Sequence, residues 1–122
     1  MRNNLSFLKV YKKKNIKSEV VTQLLYGENF RILSQNKNWL KIKNYSDNYK
    51  GYILKKKFAD SQKNTHKTYK LSTKLYSKPS KKSKIKTKLS FGSRVKITKE
   101  SGVFCKFDKF WVEKKNLKKI NV

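Results

Sequence analysis

Cys105 and His66, the one cysteine and the one histidine in 122 residues, are the side chains with the widest chemical reach near neutral pH. A thiolate beside an imidazole is a nucleophile with its base, and it needs both within hydrogen-bond reach and a third group to orient the base. Here the histidine precedes the cysteine and has no acid close to it in sequence. Cys105 sits in VFCKF, alternating with Phe107, which is the setting of a small buried hydrophobe. His66 reads as a residue of a polar connector. A lone cysteine also excludes an internal disulfide and a Cys-rich zinc site. The expectation is no enzyme: no catalytic residue, no metal ligand set and no cofactor.

The second chemistry on offer is charge. Thirty-three Lys and Arg stand against 7 Asp and Glu, a net +26, which attracts any polyanion. Only Arg2, Arg31 and Arg94 are arginine, although the bidentate guanidinium is the favoured reader of phosphates and bases. The lysines come with many Asn and Ile, the joint excess an A/T-biased coding sequence produces. Two readings stay open: a solvating surface without a target, and polyanion binding through the lysines. Residues 1–61 carry 14 basic and 4 acidic groups and residues 62–122 carry 19 and 3, so a polyanion would favour the second half. The N-terminal residues lack the apolar run of a signal peptide, and no stretch of 18 apolar residues exists to span a bilayer. The cytoplasm and a monomeric state are the expectations.

Groups this sparse must be positioned by a scaffold, and the scaffold is repeated. At a spacing of 65, Val10 and Tyr11 reappear as Leu75 and Tyr76, Ser18 as Ser83, Leu24 as Leu89, and Tyr26 and Gly27 as Phe91 and Gly92. Trp39 and Ile42 reappear as Phe104 and Phe107. The spacing then drops to 59, aligning Gly51, Tyr52 and Ile53 with Phe110, Trp111 and Val112, because the second copy lacks six residues of the polar segment 44–50. Apolar residues alternate (Phe30 and Ile32, Leu40 and Ile42, Val95 and Ile97, Cys105 and Phe107), the period of strands with one buried face. Turn signals at Gly27, Gly92, Ser101 with Gly102, and Asn44 to Asn48 separate them. Five short strands in about 55 residues predict a small closed barrel, since closure removes exposed edges. The expected fold is all-β, two SH3-like barrels in tandem at 1–59 and 70–122, joined by a linker at 60–69. Pro79, Ser80 and Ser83 predict a long loop between the first two strands of the second barrel. Trp39 and Trp111 read as core or rim residues.

With the repeat drawn, VVTQLLYGENFRIL, Trp39 and DNYKGYI resemble the first bacterial SH3 module of NlpC-type cell-wall peptidases. These include the γ-D-glutamyl-L-diamino-acid endopeptidases and dipeptidyl-peptidase VI. The stretch from NTHKTYKLSTKLY to FGSRVKI, followed by FWV, is similar to their second module. The family's catalytic domain, with its Asp-Cys-Ser-Gly nucleophile, has no counterpart here, and the chain stops about where it would begin, as a fragment lacking that domain would. The resemblance implies a recognition module for a peptidoglycan stem peptide, or one that docks on a cognate NlpC-type peptidase domain. It also implies ligand-binding roles for Glu28 and Tyr49, which match the family's motif stretches: a carboxylate pairs with the ligand's α-ammonium group and a phenol hydrogen bonds beside it. The second copy has Ser93 in place of Glu28 and lacks the Tyr49 segment. The family's Gly-Trp pair is Gly51–Tyr52 here, a departure that packing tolerates. The alternative function is a basic small-barrel nucleic-acid-binding protein.

Overall fold

The computed structural model describes residues 1–120, in two compact units, Met1–Gln62 and Lys63–Val122. The first is a five-stranded antiparallel sheet of β1 (Phe7–Tyr11), β2 (Val20–Leu25), β3 (Phe30–Gln35), β4 (Trp39–Asn44) and β5 (Lys50–Leu54), in the order β2-β1-β5-β4-β3. The second holds β6 (His66–Thr68), β7 (Ser72–Tyr76), β8 (Ile85–Ser90), β9 (Arg94–Val95), β10 (Lys99–Ser101), β11 (Phe104–Phe107), β12 (Phe110–Glu113) and β13 (Leu117–Lys119). Its sheets run β10-β11-β12-β7-β8 and β13-β6-β9. The only helical turn among the described residues is a 3-10 turn at Lys114–Asn116. The fold is all-β, two SH3-like barrels.

Strand pairing follows the two sequence offsets. Val10 faces Thr22 and Tyr11 faces Val20 across a bulge, and Leu75 faces Thr87 and Tyr76 faces Ile85 across the same bulge. Tyr11 faces Tyr52 as Tyr76 faces Trp111. The conserved spacing of small residues has a local cause as well. Ser18 Oγ closes the first loop on the Lys13 carbonyl (3.3 Å), and Ser83 Oγ closes the loop predicted around Pro79 on the Lys78 carbonyl (3.0 Å). Gly27 and Gly92 occupy the left-handed region at φ 81° and 86°, where a side chain is disfavoured.

The alternating strands put one face inward. Val10, Leu24, Phe30, Ile42 and Ile53 are fully buried in the first unit, joined by Leu8, Leu40 and Phe58. Their counterparts Leu75, Leu89, Val95, Phe107 and Val112 are buried in the second. The large ring changes sides: Phe30 with Ile42 in one core becomes Val95 with Phe107 in the other, conserving volume as close packing requires. Cys105, opposite Leu40 in the alignment, is buried as the alternation predicts, its thiol directed at the Val112 carbonyl (3.7 Å).

Two expectations need correction. The linker at 60–69 and a second barrel beginning at 70 give way to a unit boundary after Gln62 and a strand at His66–Thr68. His66 is therefore a strand residue rather than a connector, opposite Val95 on one side and Lys119 on the other. The repeat also starts earlier than its hydrophobic pattern does. Arg2 bridges Asn29 and Ala59 as Lys67 bridges Arg94 and Lys118, and Asn3 and Thr68 are buried at matching positions. The remaining part of the second barrel, residues 121–122, lies outside the described residues. The second difference is at Val95 and Ile97, predicted to share a strand: the chain leaves the sheet after Val95, and the Ile97 N–H donates to Thr65 Oγ1 (3.0 Å).

Burial and the Lys119 charge push His66 below its ordinary value of 6.5, with Glu100 opposing. The folded protein then binds this proton less readily than the unfolded chain. The second unit is therefore expected to hold its stability above about pH 6.5 and to lose some of it as the pH falls through 6.5 towards the lowered folded value. Thermal midpoints followed at Trp111 across this range should fall with acid and flatten in His66→Asn; an equal fall in that variant would assign the effect to other groups.

Candidate functional site

Glu28 follows the tight turn at Gly27, and its backbone is held on both sides. Its N–H donates to the Leu25 carbonyl (3.1 Å) and its carbonyl accepts from the Asn3 N–H (2.9 Å). The carboxylate reaches the β4–β5 turn, where Oε2 accepts from Asn44 Nδ2 (3.1 Å) and from Ser46 Oγ (3.1 Å). Asn44 is fully buried, so its amide is a fixed donor. Among the described residues, none donates a hydrogen bond to Oε1. A carboxylate with one oxygen anchored and the other free is suited to meet a cation, because its orientation is settled before the ligand arrives.

The turn itself is braced. Its ends are tied by the Asn44 N–H on the Tyr49 carbonyl (2.9 Å), and Asn48 takes a left-handed φ of 59°. Asp47 accepts from the Tyr49 N–H (3.0 Å) and from the Thr22 hydroxyl (3.2 Å), linking turn to β2. Tyr49 is 55% exposed and its hydroxyl bonds nothing among the described residues, leaving a phenol able to donate or accept. Glu28 and Tyr49 thus belong to one loop cluster, the first at its base and the second at its end. Their side chains do not bond each other.

Asn44 and Ser46 were legible only as turn residues, although both lie in the polar segment 44–50, six residues of which the second copy lacks. At the position of Glu28 the second unit has Ser93, fully buried, its hydroxyl donating to the Ser90 carbonyl (2.8 Å). What is a carboxylate held by a neighbouring turn in one unit is a buried hydroxyl closed on its own turn in the other. Burial and the Glu100 charge push the Cys105 thiol up, away from the reactive thiolate, with Lys114 opposing. His66 Nδ1 lies 2.7 Å from Thr65 Oγ1. Among the described residues no three His, Cys, Asp or Glu side chains gather to hold a metal, and no helix is long and apolar enough to cross a membrane. Trp39 and Trp111 are half-buried, Trp39 edge-on to Tyr11 (centroids 5.8 Å apart).

Residues 10–58 match the family model of the bacterial dipeptidyl-peptidase SH3 domain. The match opens in β1, ends at Phe58 and contains the whole Glu28–Asn44–Ser46–Tyr49 cluster. No curated protein matches the chain.

Proposed function

We propose that this chain is a non-catalytic recognition module for bacterial cell-wall stem peptides, with Glu28 and Tyr49 of the first unit reading a free amino terminus. The observation that carries the reading is the anchored Glu28 carboxylate, set by Asn44 and Ser46 within a segment that matches an SH3 domain of dipeptidyl peptidases. The second unit, with Ser93 closed on Ser90, offers no such acceptor. A peptidase domain of the NlpC type, on the same or another chain, would complete the other wall of a cleft.

Calorimetric titration with L-Ala-γ-D-Glu-diaminopimelate tests this. Saturable binding is expected, weakened about tenfold or more in Glu28→Gln, since a hydrogen bond between charged groups contributes roughly 1.5 to 3 kcal/mol. Blocking the peptide's amine by acetylation should weaken it equally. Binding untouched by both changes would refute the assignment.

A further inference from the structure

The small sheet β13-β6-β9 of the second unit carries three basic residues in one row. Lys67 stands directly opposite Arg94 on one side and Lys118 on the other. Directly opposed residues of neighbouring strands share a face, and like charges placed so repel. All three are exposed, and none is ion-paired to a carboxylate among the described residues. Of the unit's three acids, Glu100 pairs with Lys114 (3.3 Å) and Glu113 with Lys81 (3.6 Å) and Lys115 (3.5 Å), while Asp108 sits in the β11–β12 hairpin. The row borders a groove of about 530 Å³ that also holds Tyr69 and Phe91. Phe91 is 59% exposed, and the Tyr69 ring is held by its hydroxyl on the Lys115 carbonyl (2.6 Å), with Lys118 Nζ 4.6 Å from its centroid.

The first unit supplies an internal comparison. The positions of Lys67, Arg94 and Lys118 are there Arg2, Asn29 and Ala59, of which Arg2 is buried and donates from Nε to the Asp60 carbonyl (3.0 Å). The position of exposed Phe91 is Tyr26, buried. The same barrel is therefore built without the exposed cations or the exposed ring, so folding does not require them.

We infer that this groove binds single-stranded nucleic acid, with Lys67, Arg94 and Lys118 on successive phosphates and Phe91 stacked on a base. The row of cations suits any phosphate polymer, but the aromatic faces beside it favour one with π-faces of its own. A polyol-phosphate wall polymer has none. The inference is independent of the peptide site on the first unit.

Fluorescence anisotropy of a labelled oligothymidylate with the full chain tests it. The combined variant K67Q, R94Q and K118Q should lower the slope of log affinity against log salt by about 2, at roughly 0.7 per lost phosphate contact. A comparison variant with Lys55, Lys56 and Lys57 of the first unit changed to Gln should keep the slope. Phe91→Ala should weaken binding on the order of tenfold, and Phe91→Tyr should restore it. These are surface changes, and removing opposed like charges should leave the thermal midpoint equal or higher. Equal losses in the two triple variants would overturn the site in favour of diffuse charge. Polyphosphate competing as well as the oligonucleotide, with Phe91→Ala silent, would overturn the nucleic-acid assignment, and absence of binding would overturn both.

Discussion

Phe30→Ala is expected to remove about 4 kcal/mol from the first unit, the usual cost of deleting a fully buried ring and leaving its cavity. Phe30 has no exposed surface and packs edge-on against Phe58, with ring centroids 5.3 Å apart. A unit of this size has about 3 to 9 kcal/mol in total, so the variant should be largely or partly unfolded in the absence of denaturant. Trp39 lies in the first unit and Trp111 in the second, so urea unfolding followed by fluorescence in a Trp111→Phe background reads the first unit alone. The sharper test is the double variant Phe30→Val with Ile42→Phe, which installs the residue types of buried Val95 and Phe107 at the equivalent positions. Because volume is conserved, it should cost less than about 1.5 kcal/mol. A double variant as unstable as Phe30→Ala would show that the two cores are not interchangeable solutions of one packing problem.

Gly51→Ala should be nearly as damaging, at about 3 kcal/mol, the upper end for overpacking. A methyl group there would lie 2.5 Å from Val10 Cγ1, 2.8 Å from the Tyr11 carbonyl oxygen and 3.2 Å from Val21 Cγ2. Val10 is buried and β-branched, so it cannot swing aside, and Tyr11 contributes backbone. Strands β1 and β5 would have to part. The second unit holds Phe110 at this position, beside the tip of a tight hairpin and with its ring 5.8 Å from Phe107, so the close approach belongs to the first unit. Gly102→Ala provides the contrast. Nothing stands within 4 Å, and only its φ of 58° is unfavourable, at a cost of about 1 kcal/mol. Equal midpoints in urea for the two variants would mean that the β1–β5 contact yields more easily than its distances imply.

Where side chains alternate between core and water, as along β4 from Trp39 to Asn44, the sequence already contained the strand, its face and its register. The repeated Gly27 and Gly92 were legible for the same reason, since backbone geometry demands the residue. Segments of three residues such as His66–Thr68 escaped because a single buried threonine makes no pattern, and because their pairing is with residues 27 to 29 and 49 to 53 positions away. The break after Val95 escaped because a hydroxyl of Thr65, remote in sequence, captures the Ile97 N–H. In the site, motif resemblance pointed to Glu28 and Tyr49, but not to Asn44 and Ser46. An asparagine and a serine in a turn look like turn residues, and only the distances of 3.1 Å to Glu28 Oε2 give them a second task.

The pairing of β6 with β13 sets how the second unit bears mechanical load. The Ile120 N–H donates to the Thr65 carbonyl (2.9 Å), so the chain enters and leaves this barrel at neighbouring points of one antiparallel pair. Tension applied across those points pulls the two strands apart from the same end. The bonds then carry force one after another, as in a zip, instead of sharing it as in shear. β13 peels away first, while the core around Leu75, Phe107 and Val112 is still intact. Stretching is therefore expected to release a short length of chain at low force before it unfolds the barrel, and that first step would dismantle the row of cations on Lys118, Lys67 and Arg94.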